Sequence, residues 1–364
     1  MDNKVRPAAE NAFTGVGSAT GRRRSLLSWE QQTALAQRLL PVFWLHPDDA
    51  YRPEGFETYF EHCELWFHAE GMPPELVLQR GQVTAAALRK TRSSTGAPAS
   101  CGMAADGRVS TDKRWMLRCD PAHHRGADGG ELGRVPVYAF VRDTSLHGEP
   151  CHAVTYVTFY PYNGPYRIGG LCCRMLAGGH EADVEHVTFL VSQEGGELRA
   201  VWFNAHHADQ GQLVPAAEIE TMDFPDGRSN VPVVYVALNG HGTSPRAGTS
   251  RRIFNVGNDV TGRGQLWRPK MRLLPEAWDT ERQEQTSTTW LQYSGRLGTP
   301  QSAADWRHRS PEEQLEAPWR VREVGQAPAG IATKKWWVND QNAWRSSSWC
   351  HRMFCLWPDG HTFR

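Results

Sequence analysis

Five runs of β-branched and aromatic residues constrain this chain more than any other feature: VPVYAFV at 135–141, AVTYVTFY at 153–160, VEHVTFLV at 184–191, LRAVWFN at 198–204 and VPVVYVAL at 231–238. Val, Thr, Tyr and Phe lose side-chain freedom in a helix and pack well on a pleated surface, and turn residues separate each run from the next. The pattern predicts a mostly β protein: an antiparallel β-sandwich or jelly roll with a short N-terminal helix and long loops. Neither a Gly-rich phosphate loop nor an alternating βα rhythm is present, which argues against a dinucleotide-binding fold.

Around these runs the chain divides into three stretches. Residues 1–27 are small and polar, with Arg22, Arg23 and Arg24 in a row, and read as a disordered tail. A domain is expected over 28–320. It opens on a helix, because Ser28 and Gln31 have capping-box spacing and Leu35 and Leu39 repeat at i, i+4, and Pro41 marks its end. PVFWLHPDDAY at 41–51 then runs into a Pro-Asp turn, which accounts for His46, Asp48 and Asp49 without a site. Residues 88–133, rich in Gly, Ser, Ala and charge, read as a loop insertion. Residues 321–364 form a Trp-rich C-terminal extension that holds Trp336, Trp337, Trp344, Trp349 and Trp357 of the chain's fifteen tryptophans. Rings at that density pack a β core or an interface.

Forty basic residues balance forty acidic ones, so no global field favours nucleic acid, and none is expected as a partner. The first 24 residues have no apolar signal core and no later window has the length of a transmembrane segment, so the expected location is cytoplasmic. The eight cysteines form no CxxC pair and read as reduced, partly buried thiols.

The informative segment is Gly178-Gly179-His180-Glu181-Ala182-Asp183-Val184-Glu185-His186, which runs straight into a strand. Alternation puts Asp183 and Glu185 on the face of Val187, Phe189 and Val191. Two carboxylates continuing an apolar face need neutralising by a cation, an Arg or Lys partner, or a shared proton. Pairing about Gly195-Gly196 as a two-residue hairpin loop sets Glu185 opposite His206, with His207 as the neighbour one register away. Carboxylates with imidazole suit a divalent cation such as Mg²⁺, Ca²⁺, Mn²⁺ or Zn²⁺. Alternatively Asp183 caps a turn and Glu185 pairs with an arginine. His241, in the Asn239-Gly240-His241-Gly242 turn after the fifth run, can reach the same end of the sandwich as His180. Asn258 and Asp259 read as an Asx turn or as further ligands. The candidate metal ligands are therefore His180, Asp183, Glu185, His206 and His241. The GTSPRAG stretch lacks a GxSxG elbow and Cys172-Cys173 has no base nearby in sequence, so no nucleophile stands out.

The succession VPVYAFV, FYPYNGP, GHEADVEHVTF, VWFNAHHADQG, VPVVYVALNGHGTSP, GNDVTGRG and WLQYSGRLG resembles, in order and spacing, the vacuolar protein sorting-associated protein 62 family over roughly residues 40–320. The family pattern at the central motif is of the His-x-x-Asp-Trp-Glu kind; here His180, Asp183 and Glu185 match and Val184 stands where tryptophan is usual. That motif is also similar to one in secreted necrosis-inducing proteins. Their compact β-sandwich binds a divalent cation through a His and acid cluster, which implies His180, Asp183 and Glu185 as ligands and a surface that engages lipid head groups. The family resemblance implies a role in vacuolar protein traffic and no defined activity. The expectation is a non-enzymatic, cation-binding membrane-peripheral or trafficking protein, with lipid head groups or trafficking proteins as partners. The alternatives are a metal-dependent hydrolase using the same cluster and a structural domain without metal.

Overall fold

A computed structural model describes residues 26–100, 111–168, 175–204, 211–250, 259–276, 279–299 and 327–330. Four of the sequence's five runs form neighbouring strands at the centre of the molecule. β5 (Pro136–Leu146), β6 (Glu149–Asn163), β9 (His180–Ser192) and β10 (Leu198–Phe203) lie side by side in a six-stranded sheet, with β11 (Gln212–Pro215) beyond β10 and β18 (Lys270–Leu273) beyond β5. The β6–β9 pair is the spine, in antiparallel register from Cys151 opposite Ser192 to Asn163 opposite His180.

Their near-continuous hydrophobic text has a structural cause: both faces of this sheet are covered. On one face Val154, Tyr156, Tyr160, Val187, Phe189 and Val191 pack against Phe43, Val234, Val236 and Trp267. Those partners come from a second sheet of five strands. β13 (Val231–Val236) lies between β12 (Thr221–Met222) and β1 (Val42–Trp44), β17 (Leu266–Trp267) flanks β1, and β14 (Thr243–Ser244) also pairs with β13. On the other face Val157, Phe159, Ala182 and Val184 meet a cluster built by α2 (Phe56–Glu61) and the three-stranded sheet of β3 (Glu75–Leu78), β2 (Cys63–Phe67) and β4 (Trp115–Cys119). Two small hairpins, β7 (Tyr166–Ile168) with β8 (Met175–Ala177) and β15 (Gly248–Ser250) with β16 (Asp259–Thr261), complete the sheets.

The mostly β class is as expected, with differences in detail. Pairing is not wholly antiparallel: β1 runs parallel to β13, and β18 parallel to β5. The stretch 88–133, expected as a loop, holds the end of α3 (Ala85–Lys90) and all of β4, whose Trp115, Leu117 and Cys119 are fully buried. The β9–β10 connection also departs from the two-residue loop. It spans residues 193–197, and a bulge between Leu198 and Ala200 shifts the ladder so that Phe203 faces Val187. His206, the expected partner of Glu185, lies outside the described residues, as do His207, Asn258 and the tail beyond 330.

At the N-terminus the expected helix α1 (Trp29–Arg38) carries the full capping box. The Ser28 hydroxyl accepts from the Gln31 N–H, and the Gln31 side chain accepts from the Ser28 N–H at 2.8 Å. Its Ala36 is buried and its carbonyl accepts from the Tyr156 hydroxyl at 2.7 Å, which ties the helix to the spine.

Candidate functional site

The candidate site lies at one end of the β6–β9 pair, where Tyr160 faces Asp183 and Thr158 faces Glu185. Just before it, Ala182 is left-handed, with φ +57°. An ordinary L-residue avoids that region, and the kink interrupts the strand's alternation. Glu181 turns to accept from the N–H and hydroxyl of Thr299 and comes within 3.7 Å of His124. Asp183 turns instead to the face that Glu185 shares with Val187, as alternation predicts.

There Asp183 meets His241. The turn after β13 presents this histidine through two left-handed non-glycine residues, Asn239 (φ +67°) and His241 (φ +52°), on either side of Gly240. Three contacts offset that conformational cost. His241 Nδ1 is 2.9 Å from Asp183 Oδ2, its ring stacks on Tyr160 with centroids 3.7 Å apart and planes 3° off parallel, and its Nε2 lies 3.6 Å from Asp49 Oδ2. The imidazole is fully buried, and Asp49, Asp183 and Glu185 are each more than nine-tenths buried.

Asp49 is the residue the sequence argument left to turn chemistry, and half of that reading holds. Its Oδ1 accepts from the Tyr51 N–H at 2.9 Å, an Asx turn, while its Oδ2 accepts from the Asn239 N–H at 3.1 Å and approaches His241. Glu185 Oε2 accepts from the Asn204 side-chain amide at 3.1 Å, and Asn204 is held by the Thr243 hydroxyl through its N–H at 2.9 Å. Burial pushes the Tyr160 phenol well above its ordinary range; the Thr158 hydroxyl opposes this, and the charges of Asp49, Asp183 and Glu185 add to it. All three carboxylates therefore act on one phenol.

The charge balance is uneven. Among the described residues the ion-pair partner of both Asp49 and Asp183 is the single imidazole of His241, so two buried carboxylates share one potential counter-charge. Buried carboxylates in this condition are costly. The donor chemistry, carboxylate oxygen with imidazole nitrogen, suits a hard or borderline divalent cation. Two further features fit. His241 Nε2 is buried without a hydrogen-bond partner. His180 places Nδ1 2.7 Å from the Ala182 carbonyl, which selects the tautomer with its lone pair on Nε2, the arrangement common in metal-ligating histidines. Among the described residues, however, no three His, Cys, Asp or Glu side chains form a ready-made cage. Asp49, His241 and Asp183 form a line, with the imidazole bridging two acids.

Of the expected ligands, the structure brings Asp183 and His241 into contact, sets Glu185 beside them and turns His180 onto its own backbone. Asp259 is buried on β16, opposite Ser250.

A second histidine group lies nearby. His62 and His123 stack at 3.7 Å, His123 Nε2 is 3.6 Å from Glu54, and His124 stacks on Tyr162. Burial, with the charges of His62 and His124, pushes His123 down to about 4, and burial pushes the Glu54 carboxyl up.

Residues 18–299 match the family described as vacuolar protein sorting-associated protein 62. No curated protein sequence matches the chain. Among solved structures, it is similar to NLPPya in complex with mannosamine (10% identity, TM-score 0.31, covering 82% of this chain and 95% of that one). It is also similar to the non-toxic HaNLP3 protein (9% identity, TM-score 0.31, 82% and 95%). A third is necrosis and ethylene inducing protein 2 from the causal agent of cocoa's witches' broom disease (12% identity, TM-score 0.24, 64% and 80%). Among the described residues no helix is long and apolar enough to cross a membrane.

Proposed function

The chain belongs to the vacuolar protein sorting-associated protein 62 family, and we propose that it is a non-enzymatic binding protein whose Asp183 end takes up a divalent cation. The carrying observation is the excess of buried carboxylate over imidazole: among the described residues Asp49 and Asp183 share His241 alone as an ion-pair partner. A cation held by Asp183 and Glu185, with His180 supplying Nε2, removes that excess. His241 and Asp49 then position the Asp183 carboxylate. When bound, the ion would supply charge neutralisation at this end of β9.

The family's name connects this reading to protein sorting, and a braced sandwich acting at lipid head groups or on trafficking proteins is its cellular form. Hydrolysis through the same cluster is disfavoured by the full burial of His241, since a proton-transferring imidazole must reach a substrate.

Elemental analysis of the purified chain after supplementation with Mg²⁺, Ca²⁺, Mn²⁺ and Zn²⁺ tests the site. The expected outcome is one retained divalent ion per chain, lost in Asp183→Ala. No retained ion in the wild type removes the proposal. Flotation with anionic vesicles, with and without the retained ion, tests the membrane form separately.

A further inference from the structure

On the other face of the spine, in the cluster covered by β2 and β4, two cysteines stand directly opposite each other. Cys63 and Cys119 are Cα partners in the antiparallel β2–β4 ladder. The ladder bonds Asp120 N–H to His62 O (3.0 Å) and His68 N–H to Arg114 O (2.8 Å) make 62/120 and 68/114 the hydrogen-bonded pairs. Alternation then makes 63/119 a non-hydrogen-bonded pair, the kind whose Cα atoms come within about 4.5 Å and whose side chains lie closest. Disulfides span Cα separations of about 4.4–6.8 Å. Both thiols are free and almost wholly buried, on the same side as Leu65, Phe67, Trp115 and Leu117.

We propose that Cys63 and Cys119 form a cross-strand disulfide when the chain folds in the presence of a low-molecular-weight disulfide oxidant. The Asp183 end and its proposed ligands play no part in it. The Cys63 thiolate attacks one sulfur of oxidised glutathione and expels a glutathione thiolate. The Cys119 thiolate then attacks Cys63 Sγ in the mixed disulfide and expels the second. Two protein thiols are oxidised, one glutathione disulfide is reduced to two thiols, and the two protons pass to the released thiolates. Burial pushes the folded Cys63 thiol well above its ordinary range, with the adjacent Cys119 adding to the shift. Thiolate attack is correspondingly slow in the closed structure, so the bond forms before β2 and β4 seal. Once made, it closes the chain over residues 64–118, restricting the unfolded ensemble and stapling the layer of β2, β3 and β4.

The test is refolding of the full reduced chain in a mixture of reduced and oxidised glutathione, followed by alkylation and tryptic mapping without reductant. The expected result is peptide 39–80 joined to peptide 119–125, and a thermal midpoint that falls when dithiothreitol is added. The Cys63→Ser, Cys119→Ser double variant should show neither the linked peptide nor the dithiothreitol response. A second arm treats the natively purified chain with diamide, so that poor refolding leaves the question decidable. Recovery of Cys63 and Cys119 as alkylated thiols in both arms overturns the proposal, as does their joining chiefly to other cysteines.

Discussion

His241 shows how a single residue couples distant parts of this chain. It is fully buried, left-handed, stacked on Tyr160 and shared by Asp49 and Asp183. Removing one partner of a buried ionic group leaves the others uncompensated, which costs about 3–5 kcal/mol. His241→Ala is therefore expected to lose that much in urea-unfolding free energy. Adding Asp183→Asn to it should cost less than the sum of the two single changes, a coupling that a double-mutant cycle reads directly. His123 gives a prediction in pH. Its folded value of about 4 lies below its ordinary 6.5, so between those values the unfolded chain binds the extra proton and stability falls as pH falls. The loss saturates below about pH 4. Glu54, pushed upward by burial, works with the opposite sign. Comparing wild type with His123→Gln in thermal melts from pH 7 to 4 isolates the imidazole, and the variant should show the shallower decline.

At the scale of elements, the kink at Ala182 decides which carboxylate serves which layer. A β-branched residue is a poor occupant of the left-handed region. Ala182→Val should cost about 2 kcal/mol or more and turn Asp183 away from His241, which would appear as lost ion retention where Asp183 supplies it. The α1 cap is a smaller element effect. Ser28→Ala removes the acceptor for the Gln31 N–H and should cost about 1 kcal/mol in denaturant unfolding. The elements themselves were legible, because the five runs have strand length and β-branched text, and period-two alternation put Asp183 and Glu185 on one face. β4 carried the same signal in Trp115, Leu117 and Cys119, but the Gly, Ser and charged residues around it obscured it. The β9–β10 register was not legible, because a bulge at Leu198/Ala200 has no local signature and a one-residue slip exchanges every partner. Asp49 was half legible: its Asx turn is local, whereas its bond to Asn239 joins residues far apart in sequence.

For the whole molecule, three layers share one central sheet, and the layer of β2, β3 and β4 is closed from the C-terminal side. The 289–299 region docks on it through Leu117 N–H to Arg296 O and Arg296 N–H to Trp115 O. Residues 327–330 seal that region in turn, through Leu297 N–H to Pro328 O and Gly330 N–H to Gly295 O, with Ala327 buried and Tyr59 donating to the Leu297 carbonyl. Residues 327–330 lie beyond the family match, which ends at 299, yet they supply backbone hydrogen bonds to the core. Two chains, one ending at residue 330 and one at 326, separate the seal from whatever follows it. The shorter chain loses two backbone hydrogen bonds and a buried methyl, about 2–3 kcal/mol at ordinary net values. It should melt several degrees below the longer one, with the loss concentrated in amide exchange of β4 and the 293–297 strip while the β6–β9 spine stays protected. Equal midpoints and equal β4 protection in the two chains would show that this layer is held without residues 327–330.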